Sequence, residues 1–183
     1  MKLIDNKEQF NKVRGVAVEL DIFNNSNITA DYLSWLNDPI VFQYSNQRFI
    51  SHDSFSCIEY LKSFDETCNL FLTISVKKTK KHIGTLTVYF NEDHGVADIG
   101  IMIGNRDVWG KGYGQDAWNT ILSWLLNNKN VRKVSAGTLA CNFPMKSIIE
   151  NSGMSIEGVR KEHEVHNGEP QDVILFAILS KEN

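Results

Sequence analysis

The sequence predicts an α+β domain around a mixed, largely antiparallel sheet. Three observations carry that prediction. The hydrophobic period switches along the chain between two and about 3.6, giving the order β-α-α-β-β-β-α-β-α-β-β. The only prolines, Pro39, Pro144 and Pro170, fall where elements begin or end. Hydrophobic residues make up 42% and charged residues 22% of the 183 residues, a globular composition at a length that suits one domain over residues 1–183.

Val16 to Phe23 reads as the first strand, with Val16, Val18 and Leu20 alternating against Ala17, Glu19 and Asp21. Asn27 caps a helix from about Ile28 that carries Tyr32, Leu33 and Leu36 and stops at Asn37-Asp38-Pro39. Ser51 or His52 opens a second helix, with Phe55, Ile58 and Leu61, that ends near Glu66. Leu70 to Val76 and His82 to Phe90 form a hairpin across the run Lys77, Lys78, Lys80 and Lys81, a solvated tip. Val96 to Ile103 is a very apolar strand, and its internal Gly100 marks a bulge or a close backbone approach.

Gly112 to Asn128 is the clearest helix. Ala117, Ile121 and Leu125 form one apolar row and Trp118 and Leu122 the next, against polar Gln115, Asp116 and Asn119. Lys133 to Leu139 is a strand, and Pro144 to Asn151 a short helix that Gly153 stops. Ser155 to Val165 and Gln171 to Ser180 form a closing hairpin that turns at Asn167-Gly168. Trp35, Trp118 and Trp124 read as core.

Several function classes drop out. The longest apolar runs, such as Val173 to Leu179, are far short of the ~20 residues that span a bilayer. Met1 to Phe10 carries Asp5 and Glu8 and does not read as a signal peptide. Cys57, Cys68 and Cys141 lack CxxC spacing and read as reduced thiols of a cytoplasmic protein. A net charge of −3, with 19 basic against 22 acidic residues, builds no stripe for nucleic acid. Arg106, Lys111, Arg132, Lys133 and Lys146 are scattered through the second half.

The most informative stretch is Val108-Trp109-Gly110-Lys111-Gly112-Tyr113-Gly114-Gln115. Alternate glycines between a strand and a helix let the backbone approach a ligand, and the free amides of a helix start favour an anion. It is not a dinucleotide fingerprint, since Gln115 stands where a third glycine would, nor a P-loop, for no GK[ST] follows. Spacing alone leaves a phosphate cradle and a ligand-free tight turn equally open.

Context separates them. Ile101-Met102-Ile103-Gly104, then WGKGYG, then an amphipathic helix strongly resembles the acyl-CoA-binding motif of the GNAT N-acetyltransferases. Asn142, eleven residues before Gly153, looks like that family's strand-end asparagine. Ile148 to Leu179 and the segment YLSWLNDP are similar to its ribosomal-protein and polyamine acetyltransferase branch, so the resemblance covers roughly Val18 to the end. Trp109 replaces the usual Gln or Arg. Ile149 and Met145 stand where related enzymes place a Tyr or Ser as the acid for the CoA sulfur.

The resemblance implies a GNAT fold with a V-shaped splay between the fourth and fifth expected strands. It implies acetyl-CoA as co-substrate, no metal, and direct attack of a primary amine on the thioester. Gly110, Lys111, Gly112, Tyr113, Gly114 and Gln115 then lie along the pyrophosphate, with Trp109 beside them and Lys146 near the 3′-phosphate. Met102 and Ile103 run beside the pantetheine, Asn142 holds it, and the Met102 amide is the oxyanion donor. Glu164 matches the branch's carboxylate base, with Ser147 or water left to protonate sulfur. On the residues alone, Glu162, Glu164 and His166 share a strand face, while His163 and His166 point to opposite sides and do not form a metal pair. Asn142 also suits the cap of the Pro144 helix, and Asp172 a buttress of the hairpin.

The expected acceptor is a small-molecule amine: an amino sugar, a nucleotide-linked amino sugar or a polyamine. A protein N-terminus is the alternative acceptor, and a non-catalytic acyl-CoA-binding domain the alternative class. A homodimer is left open. Asp38 to His52 and Glu92 to Gly95, the loops that choose the acceptor, carry no readable signal.

Overall fold

A computed structural model describes residues 10–127 and 130–180. The expected helix end at Asn128 and the stretch from Met1 to Gln9 lie outside these residues. Among the described residues eight strands form one sheet in the order β1-β2-β3-β4-β5-β6-β8-β7. They are β1 (Val13–Arg14), β2 (Val18–Ile22), β3 (Leu70–Val76), β4 (His82–Asn91), β5 (Val96–Ile103), β6 (Lys133–Leu139), β7 (Ser155–His166) and β8 (Glu169–Leu179). The helices are α1 (Ala30–Leu36), α2 (Ser54–Lys62), α3 (Tyr113–Leu126) and α4 (Phe143–Asn151). Among the described residues no helix is long and apolar enough to cross a membrane.

One ladder is parallel, and it is short. Val96, Ala97 and Asp98 of β5 pair with Lys133, Val134 and Ser135 of β6. Beyond Asp98, β5 stays with β4 as far as Ile103 while β6 stays with β8 as far as Leu139. The two strands therefore diverge into the expected V. All other ladders are antiparallel.

Each face of the sheet carries its own apolar cluster. α3 buries Ala117, Trp118, Ile121, Leu122 and Leu125, the rows expected from the sequence. They meet Leu20, Leu72, Leu86, Ile99, Val134 and Phe176 from the strands. On the opposite face Tyr32 and Trp35 of α1 and Cys57 of α2 pack with Phe23, Phe64 and Phe71. Asn167 and Gly168 turn the last hairpin with φ of 52° and 83°, the left-handed pair that a two-residue turn demands.

Three expected element starts and one expected element end are corrected. The first strand starts at Val18, and Val16 is 89% exposed. The cause is Asp116, whose carboxylate accepts the amides of Val16, Ala17 and Val18 at 3.0, 2.7 and 2.9 Å and pulls this turn onto α3. Asn27 does not cap α1; Asn24 to Asn27 close a 3₁₀ turn, and the Thr29 hydroxyl takes the Tyr32 amide at 3.2 Å. α2 starts at Ser54 behind Asp53, whose carboxylate accepts the Ser56 amide at 2.7 Å, and it ends at Lys62 rather than near Glu66. That phase buries Cys57 with the later Phe64 and leaves Phe55 70% exposed.

The lysine tip is solvated but not idle. Lys80 Nζ meets Glu19 Oε2 at 2.7 Å and Lys12 Nζ meets Oε1 at 3.6 Å, covering a carboxylate that is only 4% exposed. The Lys80 hydrogen bond, more than any other contact, holds the Glu19 pKa below its ordinary 4.5. A lowered carboxylate pKa gives stability that is present above the unfolded pKa and lost as pH falls through the folded one. Glu19→Gln is expected to lower the Tm at neutral pH, with the gap to wild type closing as both are titrated below about pH 4. Thermal unfolding across that range checks it; a gap that stays constant with pH contradicts it.

Candidate active site

The glycine loop is held from below and open above. Asn105 caps the 3₁₀ turn Arg106–Val108 by accepting the Asp107 amide at 3.0 Å. The Trp109 indole donates to the Ile103 carbonyl at 2.8 Å, fastening the loop to the end of β5. Gly110 and Gly112 then take φ of 70° and 82°, a region in which L-residues are strained. No atom lies within 4 Å of where a Cβ would sit on either glycine. Glycine is needed here for the backbone turn, and the outer side of the loop is free.

α3 starts at this loop without a side-chain cap. Its first bond runs from the Asp116 amide to the Gly112 carbonyl at 3.0 Å, so the amides of Tyr113, Gly114 and Gln115 precede the helix ladder. Gly114 serves close packing: a Cβ there would sit 3.3 Å from Ile148 Cδ1 and 3.4 Å from Ile103 Cγ1. Gln115 donates to the Ile148 carbonyl at 3.1 Å and to Asn119 Oδ1 at 3.0 Å, tying α3 to α4. Tyr113 packs half-buried against the core, and Lys111 is exposed. Asn142 caps α4 by accepting the Met145 amide at 3.2 Å, and Lys146 Nζ lies 5.4 Å from the Phe143 ring centroid.

The end of β5 is set by Gly84. A Cβ on Gly84 would overlap the Met102 carbonyl oxygen and lie 3.0 Å from Ile103 Cα. The Met102 carbonyl is thus aimed at β4. A trans peptide points its carbonyl and its N–H in opposite directions, so the Ile103 amide is turned away from β4, toward the side from which β6 has diverged. The sequence reading gave the close-approach sign to Gly100, but β5 pairs with β4 there without a bulge and a Cβ on Gly100 would meet the Thr87 hydroxyl at 3.0 Å; the close backbone approach is at Gly84.

The hairpin meets the loop between α1 and α2. Asn46 Nδ2 donates to Glu164 Oε1 at 3.4 Å, Arg48 to the Val165 carbonyl at 2.8 Å, and the Tyr44 and His166 rings stack at 5.1 Å. The expected common face breaks at Glu162. Between Arg160 and Glu164 the register shifts, Glu162 takes φ 48°, and Asp172 fills the bulge. Its carboxylate accepts the Glu162 amide at 2.9 Å and meets Lys161 Nζ at 2.7 Å, and the lysine holds its pKa below the usual range. Asp172 thus buttresses the hairpin, as expected.

Neither sulfur-acid position offers a group. Ile149 is wholly buried in the core, and Met145 is a half-buried apolar residue. Ser147 is exposed on α4, and its hydroxyl accepts from Asn151 at 3.2 Å. Among the described residues no group of three His, Cys, Asp or Glu side chains is placed to hold a metal.

Asp98 was missed. It lies at the vertex of the V, in the last β5–β6 pair, where Ser135 Oγ donates to its carboxylate at 2.8 Å. Its side chain is exposed at the surface, yet partial desolvation by the neighbouring strands raises its pKa above the ordinary 3.8, outweighing that hydrogen bond. Its register partner on β4 is Tyr89, whose hydroxyl lies 2.8 Å from that of Tyr60. The available signal was one carboxylate inside an otherwise apolar strand.

The family model for the acetyltransferase (GNAT) domain matches residues 25–155. An N-acetyltransferase of Bacillus licheniformis designated p20 is 28% identical over 160 residues, 84% of this chain and 88% of the relative. RimL, a ribosomal L7/L12 alpha-N-protein acetyltransferase solved with coenzyme A, superposes with a TM-score of 0.80 at 15% identity, over 92% of this chain and 98% of that one. Spermidine N-acetyltransferase from Vibrio cholerae, solved with CoA and spermine, superposes with a TM-score of 0.77 at 21% identity, over 90% and 96%. At these identities the structural likeness is one of fold. The family match takes in β3 to α4, with the diverging strands and the glycine loop: the chain belongs to the GNAT acetyltransferase domain family.

Proposed function

We propose that the chain transfers an acetyl group from acetyl-CoA to the primary amine of a small molecule, by direct attack in a ternary complex. The observation that carries this reading is the pairing of an open, uncapped helix start with a strand end whose amide faces the splay. The free amides of Tyr113, Gly114 and Gln115 and the loop from Gly110 suit a pyrophosphate. Lys111 adds positive charge within the loop, and Trp109 closes the loop against β5.

Bound acetyl-CoA would supply an activated thioester carbonyl. Met102 and Ile103 offer main-chain amides beside it; because the Met102 carbonyl is aimed at β4, we assign the oxyanion donor to the Ile103 N–H, directed away from β4, in place of the Met102 amide expected from the resemblance. An amide aimed at the developing negative charge is worth about 3 kcal/mol in comparable sites. Asn142 keeps its amide nitrogen for the pantetheine, since its Oδ1 is taken by the Met145 N–H. The Ser147 hydroxyl is exposed and only accepts from Asn151, so it keeps its own proton, and Ser147 or solvent supplies the proton for the departing sulfur.

Glu164 is the carboxylate that meets the acceptor, as base or as anchor of its ammonium. A second reading gives the proton to Asp98, an exposed carboxylate at the vertex of the V whose raised pKa brings a base nearer the working pH. The contacts of Tyr44, Asn46 and Arg48 with the hairpin narrow the acceptor side, which supports a small amine over a protein terminus.

Two predictions test this. Gly112→Val puts a β-branched side chain into the open cradle at a left-handed position, so the Kd for acetyl-CoA is expected to rise at least about tenfold, with a modest loss of stability of ~1–3 kcal/mol. Calorimetry that finds unchanged affinity in the folded variant removes the cofactor assignment. Glu164→Gln is expected to lower kcat at least about tenfold, with recovery at high pH and acetyl-CoA affinity unchanged. A raised KM with kcat spared makes Glu164 an anchor. A kcat loss that follows Asp98→Asn instead moves the base to Asp98.

A further inference from the structure

The proposed function leaves a half-buried histidine, His82, unused. His82 opens β4 where the β3–β4 register slips between Ile74 and Ser75. Its Nε2 lies 2.8 Å from the Gly84 carbonyl oxygen. A carbonyl only accepts, so Nε2 carries the proton. Three rings enclose the imidazole: Trp35 edge-on at 5.2 Å, Phe23 edge-on at 6.1 Å and Tyr32 stacked at 6.2 Å. Burial lowers its pKa from the ordinary 6.5, against the upward pull of the Gly84 hydrogen bond, so the ring is neutral.

The residue that His82 holds is the one against which β5 is set. Gly84 takes the Met102 carbonyl over its bare Cα, and Ile103 Cα lies 3.0 Å from its missing Cβ. One ring of the cage, Trp35, also packs on Gly104, so closely that a Cβ there would overlap the indole. His82 therefore joins the α1 cluster to both neighbours of the Met102–Ile103 peptide.

We propose that His82 is a positioning residue for acetyl transfer: by holding the Gly84 carbonyl it sets the tilt of the Met102–Ile103 peptide and so the direction of the Ile103 amide. This rests on the proposed function, in which that amide faces the thioester oxygen. Losing an oxyanion donor costs 10²–10³ in rate in comparable enzymes, so a misdirected one is expected to cost at least about tenfold.

The test compares His82→Phe, which keeps a ring in the cage and removes the donor, with His82→Gln, which restores an N–H. One readout is kinetic, with acetyl-CoA and an accepted amine. The other is the amide resonance of Ile103 in the free protein, which needs no turnover. His82→Phe is expected to lower kcat at least about tenfold with the KM for acetyl-CoA unchanged and to shift the Ile103 resonance, while His82→Gln recovers most of both. Wild-type kcat in a folded His82→Phe protein overturns the proposal, as does an unmoved Ile103 resonance. A loss shared equally by His82→Gln also overturns it, because shape rather than the hydrogen bond would then govern. If the phenylalanine variant does not fold, imidazole ¹⁵N shifts of the wild type decide: an Nε2–H tautomer supports the proposal and an Nδ1–H tautomer overturns it. If the wild type acetylates no amine, the proposed function fails on its own, and the Ile103 resonance still decides the role of His82.

Discussion

A methyl group that Gly84 lacks governs the end of β5. Any Cβ at that position would overlap the Met102 carbonyl oxygen, so only glycine lets β5 lie this close to β4. With that carbonyl aimed at β4, the peptide plane turns the Ile103 N–H the other way. β6 has left β5 after Asp98, so that N–H faces an opening and not a partner strand. The rest of the candidate site is arranged around this one peptide. Trp109 holds the Ile103 carbonyl, Gly114 packs on the Ile103 side chain, and Met102 lies against the α1 cluster.

Two independent sets of contacts fix what surrounds the opening. On one face, Asp116 gathers three amides of the turn before β2 and so pins the first turn of α3, while Gln115 ties the same turn to α4. The start of α3, the proposed anion site, thus has no side-chain cap and yet is tied down by its neighbours, which is what pre-organised binding by backbone amides requires. On the other side, Tyr44, Asn46 and Arg48 reach the hairpin at His166, Glu164 and Val165. Arg106, paired with Asp38 at 3.4 Å, joins that loop to the glycine loop. At half exposure such a pair adds little stability, so its effect is one of placement.

What the sequence made legible follows from how local each signal is. The apolar rows of α3 and the Asn167-Gly168 turn depend on residues a few positions apart, and both are found where the pattern puts them. The resemblance around WGKGYG supplied the splay, which no local pattern encodes. Failures came where a distant partner intervenes. Val16 alternates like a strand residue, but Asp116, a hundred positions away, draws its amide out of the ladder. Glu162 sits in step with Glu164, but Asp172 across the hairpin accepts its amide and creates the bulge. Phe55 looked like the inward residue of α2 until the Asp53 cap set a helix phase that buries Cys57 instead. Gly84 and Asp98 are the costliest omissions, because each matters only through the strand beside it.

The most direct measurement is the kinetics of Gly84→Ala alongside acetyl-CoA binding. The added methyl must push β5 off β4 at Met102, while the glycine loop and the start of α3 keep their own supports. Displacement of a reacting group by about 1 Å costs on the order of 10²-fold, so kcat is expected to fall by roughly that factor while the acetyl-CoA Kd stays within about tenfold of wild type. A Gly84→Ala protein that folds and turns over at the wild-type rate would contradict the account, since the Met102–Ile103 peptide would then not owe its direction to the missing methyl group.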